Sequence, residues 1–449
     1  MIVMKFGGSS VESAAAIRRV AGIVQARLDQ RPVVVVSAMG KTTNKLLAIA
    51  STSAAGDLNQ ALTLLAELRS FHLTEAKGLD LDDVIADHFA ELEALARGLA
   101  VMGEFTPRAT DAVSALGERL SSLIVAAQFR HCGMDAAHVD ARHLIKTDRR
   151  HTQAAPLFAQ TNMRLAETIL PLAAKQVVVI GGFVGSTEDG VTSTLGRGGS
   201  DYTASIVGAA IGAEEIQIWT DVDGMLTADP RVLSGGHRVK ICSFAEAAEL
   251  AYFGAKVLHP ATVLPAIEKN IRVRILNSRR PESPGTLIVK SPPASSTPIR
   301  SIACKQSITL VNIVSTRMLM AHGFLRRIFE VFDRFETPVD MLATSEVSVS
   351  LTIDNPRSLD AIRAELESFG EVSTQENQAL VCLVGENIGQ SRSVPARAFN
   401  ALNGIRTRMV SQGASQLNLS LVVDAADLSH AVESLHREFF TEFDPEAFE

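Results

Sequence analysis

Short β-branched runs alternate with long amphipathic segments through the first part of the chain. Ile2–Phe6, Val33–Ser37, Val177–Ile180, Ile216–Trp219 and Val273–Leu276 are apolar and bounded by Gly, Pro or polar residues, which predicts buried strands. Helical periodicity fills the intervals, over Val11–Leu28, Gln60–Lys77, Asp82–Gly98, Ala109–Phe129 and Met163–Lys175. This alternation predicts an α/β fold with a mainly parallel sheet covered on both faces, so a three-layer αβα arrangement. Ligands in such folds bind beyond the carboxyl ends of the strands, and the glycine-rich segments of this chain fall there.

From Arg279 to Pro298 the pattern lapses into RRPESPGTLIVKSPPASSTP, with five prolines around one short apolar run, and a connector is expected. A repeat of 70 residues follows. Leu310-Val311 aligns with Leu380-Val381, Ile313-Val314 with Leu383-Val384, Phe329 with Phe399, Ser350-Leu351 with Ser420-Leu421, and Asp354 with Asp424. Each copy reads strand, helix (Phe324–Phe335; Ala396–Leu402), two strands, helix (Leu359–Phe369; Leu428–Phe440). Such α+β units pair side by side.

Composition narrows the function classes. At 449 residues the chain is expected to hold about two to four domains. Its 43 Lys+Arg against 50 Asp+Glu leave −7, with one Trp and two Tyr, so neither the basic stripe nor the stacking platform of a nucleic-acid binder is expected. Cys132, Cys242, Cys304 and Cys382 form no C-x-x-C pair and are read as reduced thiols. No apolar run approaches the roughly 20 residues of a membrane span, and MIVMKFGGSS lacks the form of a signal peptide. A cytoplasmic protein is expected.

Four motifs carry chemistry. Lys5-Phe6-Gly7-Gly8-Ser9-Ser10 follows the first strand, where two glycines let backbone approach a phosphate and Lys5 adds charge. Gly181-Gly182-Phe183-Val184-Gly185 leads to Thr194-Leu195-Gly196-Arg197-Gly198-Gly199-Ser200-Asp201, which is expected to open a helix at Tyr202, with Asp201 placed to cap it. Together these turns suggest a polyphosphate cradle. Gly40-Lys41-Thr42 ends like a P-loop, but Val35 stands where its first glycine belongs, so that reading fails. Trp219-Thr220-Asp221-Val222-Asp223-Gly224, closing at Asp229-Pro230-Arg231, offers strand-end carboxylates for a nucleotide or metal, or an Asx turn. Phe253-Gly254-Ala255-Lys256-Val257-Leu258-His259-Pro260 adds a lysine after a helix end.

In this order KFGGSSV, LGERLSS, TLGRGGSDYTA, IWTDVDGMLTADPR and FGAKVLHPA resemble the aspartokinases of the amino-acid kinase family, and the C-terminal repeat resembles their paired ACT domains. Ala343-Thr344-Ser345-Glu346-Val347 is similar to the lysine-sensitive monofunctional type. The resemblance implies a catalytic domain over 1–291 and ACT domains over 299–374 and 375–449. It implies ATP-dependent phosphorylation of the side-chain carboxylate of L-aspartate. That carboxylate, with a pKa near 4, is already ionised at pH 7. Catalysis would then rest on positioning and charge neutralisation by Lys, Mg²⁺ and backbone N–H groups.

Carried over residue by residue, the resemblance makes Lys5 and Asp201 catalytic, Lys5 stabilising the transferring phosphate and Asp201 orienting Lys5 and the substrate. Ser37, Thr43, Glu118 and Arg197 would hold aspartate, Glu118 its amino group and Arg197 its α-carboxylate. ATP would meet Lys5, Gly7, Gly8, Ser9, Thr220, Asp221, Arg231 and Lys256, with Mg²⁺ held mainly by ATP rather than by protein side chains. Leu226 stands where relatives carry an aromatic.

Met318, Gly323, Phe324, Leu325, Asp340, Thr344, Ser345 and Glu346 would form an effector site, whose acids suit lysine. Met320, Ala321 and Pro338 replace polar residues of the lysine-binding pattern, which keeps threonine open. A homodimer through the ACT domains is expected. The competing readings are a kinase of carbamate, glutamate or acetylglutamate, and a catalytically silent amino-acid sensor. No G-x-G-x-x-G unit follows the second repeat, so a homoserine dehydrogenase fusion is not expected.

Overall fold

The computed structural model describes residues 1–254, 260–315, 322–413 and 415–449. The chain forms two units that are discontinuous in sequence: Met1–Gly224 with Val257–Lys290, and Met225–Lys256 with Ser291–Glu449.

In chain order the first unit runs β1 (Ile2–Phe6), α1 (Ala14–Gln25), β2 (Pro32–Val36), α2 (Thr42–Ala54), α3 (Leu58–Glu75), α4 (Asp82–Met102), α5 (Pro107–His131), β3 (Ala136–Val139), α6 (Ala141–Leu144), β4 (Lys146–Thr147), α7 (Phe158–Ala173), β5 (Val177–Gly181), β6 (Val184–Thr187), β7 (Thr192–Thr194), α8 (Gly199–Ile211) and β8 (Glu215–Thr220). After β9 (Ile241–Ser243) and α9 (Phe244–Tyr252), which belong to the other unit, it resumes with α10 (Leu264–Glu268), β10 (Arg272–Asn277) and β11 (Thr286–Val289).

The main sheet has the order β3-β5-β2-β1-β8-β10-β11, parallel except for β11. All five residues of β1, β2 and β5 are buried, as strands covered on both faces require. Phe6 is level with Val36 on one side and Trp219 on the other, and Val36 is level with Gly181. The chain therefore leaves four neighbouring strands along one edge of the sheet, and every glycine-rich turn of the first unit issues from or near that edge. Phe6 stacks on Trp219 at 5.8 Å, within a core that joins β1 and β2 to α1 through α5.

Two expectations change here. The helix that follows the third glycine turn opens at Gly199, with Gly198 at φ 72° as its N-cap, rather than at Tyr202. Asp201 lies inside the first turn and does not cap it. The Ser/Thr-rich α2 went unpredicted because weak helix formers occupy both of its ends, Thr42-Thr43 and Ser51-Thr52-Ser53.

The second unit adds β12 (Ser301–Val314), α11 (Phe324–Arg334), β13 (Met341–Thr344), β14 (Ser348–Ile353), α12 (Leu359–Leu366), β15 (Glu371–Val384), α13 (Ser393–Ala401), β16 (Thr407–Gln412), β17 (Asn418–Asp424) and α14 (Leu428–Phe440). The repeat is realised in the expected order, and β12 and β15 begin and end 70 residues apart. These two strands pair antiparallel at the centre of one six-stranded sheet, β13-β14-β12-β15-β17-β16. Phe324, Ile328, Val331 and Phe332 of α11 bury against Val311, Ile313, Val349 and Leu351.

Helix α9 is bolted into this unit. Ser243 and Glu246 form a capping box, and Glu246 Oε1 also accepts from the buried Arg300 Nε at 3.2 Å. Glu249 accepts from Ser415 Oγ and Asn418 Nδ2, each at 2.7 Å. A Cβ at Gly254, whose φ is 128°, would stand 2.2 Å from the Cys304 carbonyl, so only glycine fits. Among the described residues no helix is long and apolar enough to cross a membrane.

Candidate active site

A pocket of about 270 Å³ in the first unit is lined by Lys5, Ser37, Thr43, Glu118, Phe183, Gly196, Gly198, Gly199, Ser200 and Asp201. It brings together both residues expected to be catalytic and three of the four expected to hold aspartate. Lys5 is the next-to-last residue of β1, and its ammonium lies 2.7 Å from Asp201 Oδ1. Arg197, the fourth, is exposed on the loop between two lining glycines.

The glycine turns owe their composition to close approach. A Cβ at Gly8 would lie 2.9 Å from the Ala38 carbonyl and 3.0 Å from that of Gly40. One at Gly182 would lie 2.7 Å from Ser200 Cβ, which is how the two later glycine turns close on each other. Gly7 N–H donates to the Trp219 carbonyl at 3.1 Å, tying the first turn to the end of β8.

Glu118 is the electrostatic outlier. It is 5% exposed, its Oε2 is buried without a partner, and burial pushes its carboxyl up to about 8. The Ala38 backbone and the Lys5 charge oppose that rise only partly. A buried carboxylate with a spare oxygen, opening on a pocket, suits an incoming ammonium group.

Thr220 and Asp221 sit at the carboxyl end of β8, level with the Lys5 turn. The bend after them is held by Asn277 Nδ2, which donates to Asp223 at 2.7 Å, and by an Arg280–Asp223 pair. In the second unit, Arg231 forms a bidentate pair with Asp229 and is largely exposed. Leu226 is half-buried, its carbonyl accepting from Ser301 Oγ at 2.7 Å. Lys256 and Met318 lie outside the described residues, as do His259, Met320 and Ala321.

The effector set is spread along the first ACT-like repeat. Gly323 caps α11 at φ 80°, Phe324 is buried edge-on against Phe369, and Leu325 is exposed. Thr344, Ser345 and Glu346 are exposed around the β13–β14 hairpin. Asp340 is already engaged: Lys305 Nζ lies 2.7 Å from its Oδ1 and 3.3 Å from Asp354, beneath the Tyr252 ring. Burial keeps the Asp340 carboxyl above its ordinary range despite Lys305.

Two contributors escaped sequence reasoning. Asp111 is fully buried in the first turns of α5. It accepts from Thr194 Oγ1 at 2.5 Å, from Thr152 N–H at 3.0 Å and from the His151 ring at 2.7 Å. This anchors the start of the segment that carries Arg197. Its signal was available, since Asp111 and Glu118 stand two turns apart on one face of an otherwise apolar stripe. Phe183 lines the pocket at φ 66°, a conformation costly for an aromatic residue; the second glycine motif contains it, but only its glycines were read as functional.

The model of the amino acid kinase family matches residues 1–277, and an ACT domain model matches 381–439. The chain is 40% identical to aspartokinase 3, chloroplastic, of Arabidopsis thaliana, over 98% of this chain and 81% of that one. It is 36% identical to lysine-sensitive aspartokinase 3 of Escherichia coli K12, over 98% and 99%. Among solved structures, E. coli aspartokinase III in complex with lysine and aspartate (T-state) superposes with a TM-score of 0.86 at 35% identity, covering 98% and 99% of the two chains. The same enzyme in complex with aspartate and ADP (R-state) gives 0.84 at 35% identity, covering 98% and 100%. With the αβα sheet, the Lys5 pocket and the repeat beside these matches, the chain belongs to the aspartokinases of the amino acid kinase family.

Proposed function

We propose that the Lys5–Glu118–Asp201 pocket is the catalytic centre of this aspartokinase. The reaction is that of the family, ATP-dependent phosphorylation of the side-chain carboxylate of L-aspartate to 4-phospho-L-aspartate. The observation that carries the site is the Lys5–Asp201 pair in one pocket with Ser37, Thr43, Glu118 and the glycine turns.

The substrate carboxylate needs no general base, because it is ionised at neutral pH. Its difficulty is approaching a polyanion. Lys5 answers that with a cation at the strand end, kept in place by Asp201. Gly7, Gly8 and Ser9 line the phosphate loop, where the Gly7 N–H donates to the Trp219 carbonyl and those of Gly8 and Ser9 are left for the phosphates, with Thr220, Asp221, Arg231 and Lys256 as the remaining nucleotide contacts. Glu118 takes the α-ammonium group, which returns its carboxyl to the ionised form, and Arg197 forks onto the α-carboxylate. Ser37 and Thr43 fix the remaining substrate orientation.

Mg²⁺ fits as a passenger on the ATP phosphates. It favours oxygen ligands, and no group of three or more His, Cys, Asp or Glu gathers to hold a metal among the described residues. When bound it supplies charge neutralisation.

The first repeat, 299–374, is assigned as the effector-binding ACT domain, 375–449 as the second, and 1–291 as the catalytic domain. A lysine complex of the E. coli relative supports lysine as the effector here. A homodimer through the ACT domains and a cytoplasmic location complete the reading. Light scattering that finds only monomer with and without lysine would refute the dimer.

ADP release from Mg-ATP and L-aspartate, with acyl phosphate trapped as the hydroxamate, tests the whole. Hydroxamate formed from aspartate and suppressed by lysine is the expected result. Hydroxamate formed only from another carboxylate would overturn the substrate assignment.

A further inference from the structure

A second cavity of about 230 Å³ lies in the same unit, outside the catalytic pocket. His88, Arg119, Ser122, His138, Asp140 and Arg142 supply its polar lining, and Gly181 at the end of β5 forms part of its wall. It is smaller than the roughly 300–1,000 Å³ of drug-sized sites, so it suits a small ion better than a nucleotide.

Within the lining itself cations outnumber carboxylates. Two arginines face it against one carboxylate, since Glu91, which accepts from Arg119 Nη1 at 2.9 Å, is not part of the lining. Asp140 takes the Nε and Nη2 edge of Arg142, at 3.1 and 2.7 Å, and that pair does not use Nη1. Arg119 Nε is buried with no acceptor. A buried guanidinium N–H without a partner is costly, and an anion in the cavity would relieve it.

The histidines report the same field. Burial pushes His138 down to about 4; Asp140 opposes this, while Arg130 and His88 reinforce it. Burial also lowers His88, whose ring bonds the Val84 carbonyl; Arg119 and Arg142 lower it further and Glu91 opposes them. Both rings are therefore neutral at pH 7, and their ring-proton resonances lie where a charge bound beside them would be felt. Ser122 Oγ, 3.0 Å from His138 Nε2, adds a hydroxyl.

We propose that this cavity is a second, non-catalytic binding site for a small oxyanion, a phosphate or a carboxylate, gripped by Arg119 and Arg142. The site shares a wall with the catalytic pocket. Consecutive residues of α5 divide between them, Glu118 lining one and Arg119 the other. A Cβ at Gly181 would stand 3.0 Å from the Glu118 carbonyl, so β5 and α5 touch at that partition.

The test uses the full chain with ADP and L-aspartate saturating, which keeps the catalytic pocket filled, at constant ionic strength. Ring-proton NMR signals of His88 and His138, assigned with His88→Gln and His138→Gln, are followed against inorganic phosphate and, separately, succinate. The expected result is a saturable shift of both ring signals as the anion's charge arrives beside them. Its midpoint should rise about tenfold or more in Arg119→Gln, the loss of one charge-assisted hydrogen bond. Should Arg119→Gln fail to fold, Arg142→Gln carries the same expectation. Saturation by phosphate alone or by succinate alone supports the site and identifies the ligand class. Shifts that stay linear for both probes, or midpoints unchanged in the folded arginine variants, overturn it.

Discussion

Two largely buried Lys–Asp pairs, one in each unit, have the same closest approach of 2.7 Å and different surroundings. Lys5–Asp201 opens on a pocket ringed by glycine turns and hydroxyls, so the ammonium has a ligand side as well as a partner side. Lys305–Asp340 is closed in by a second carboxylate, Asp354, and by the Tyr252 ring. The first pair holds a cation ready for something else. The second shares its cation between two carboxylates of the chain and occupies one oxygen of the acid that the resemblance reserves for an effector, leaving Asp340 Oδ2 buried without a hydrogen-bond partner. Equal distances thus carry no functional message; the space left around the pair does.

The comparison breaks most sharply at Lys5. Lys5→Met should lower kcat by at least about 10²–10³-fold, the scale of removing one preorganised charge-stabilising donor, with an unchanged circular dichroism spectrum. A folded, active variant would make the two pairs equivalent.

Next in size is Glu118→Gln, which should raise KM for aspartate by about 10–100-fold, the worth of a hydrogen bond to a charged group. In the free enzyme the carboxyl must lose its proton to receive an ammonium, so kcat/KM for aspartate should climb as pH rises through about 8. That limb should vanish in Glu118→Gln. Stability carries the reverse sign. The folded chain keeps this proton above the ordinary value of 4.5, so the contribution is full below 4.5 and is lost as pH rises to about 8. Denaturant titrations of the two proteins across that window should show a steeper decline for the parent.

Lys305→Met sharpens the other side. Freed of its internal cation, Asp340 should admit lysine more readily, lowering the half-inhibitory concentration by about tenfold, at a stability cost of about 1–3 kcal/mol for the carboxylate left unpaired. An unchanged lysine response in a folded variant would make the pair structural only. Smallest is Asp111→Asn, expected to raise KM for aspartate a few-fold with kcat little altered, because it loosens the segment that carries Arg197. A collapse of kcat instead would place Asp111 nearer the chemistry.

Much of the first unit was legible because its signals are local. All five predicted strands were found within one or two residues at each end, since β-branched runs bounded by turns have little alternative. The repeat was legible for a different reason, as identical spacing survives where identity does not. What could not be read is occupancy. Lys305 and Asp340 are 35 residues apart, and nothing local says that one neutralises the other. The same holds for Asp111, whose partners lie in a turn about 40 residues away and at the end of β7, 83 residues away. The tie between Asp201 and Lys5 was legible through the resemblance alone, since local pattern offered Asp201 only as a helix cap and the helix start itself depends on Gly198 adopting a left-handed backbone.

The placement of Met225–Lys256 has a consequence for anyone who would take the protein apart. The chain passes between units after Gly224, after Lys256 and after Lys290, so no single scissile bond separates them. A fragment ending in the proline-rich connector would carry α9 without Arg300, Ser415 and Asn418, stranding Glu246 and Glu249. Grafting the regulatory half of one such enzyme onto another therefore requires exchanging two pieces of sequence together, and a chimera made by one crossover would misassemble at α9.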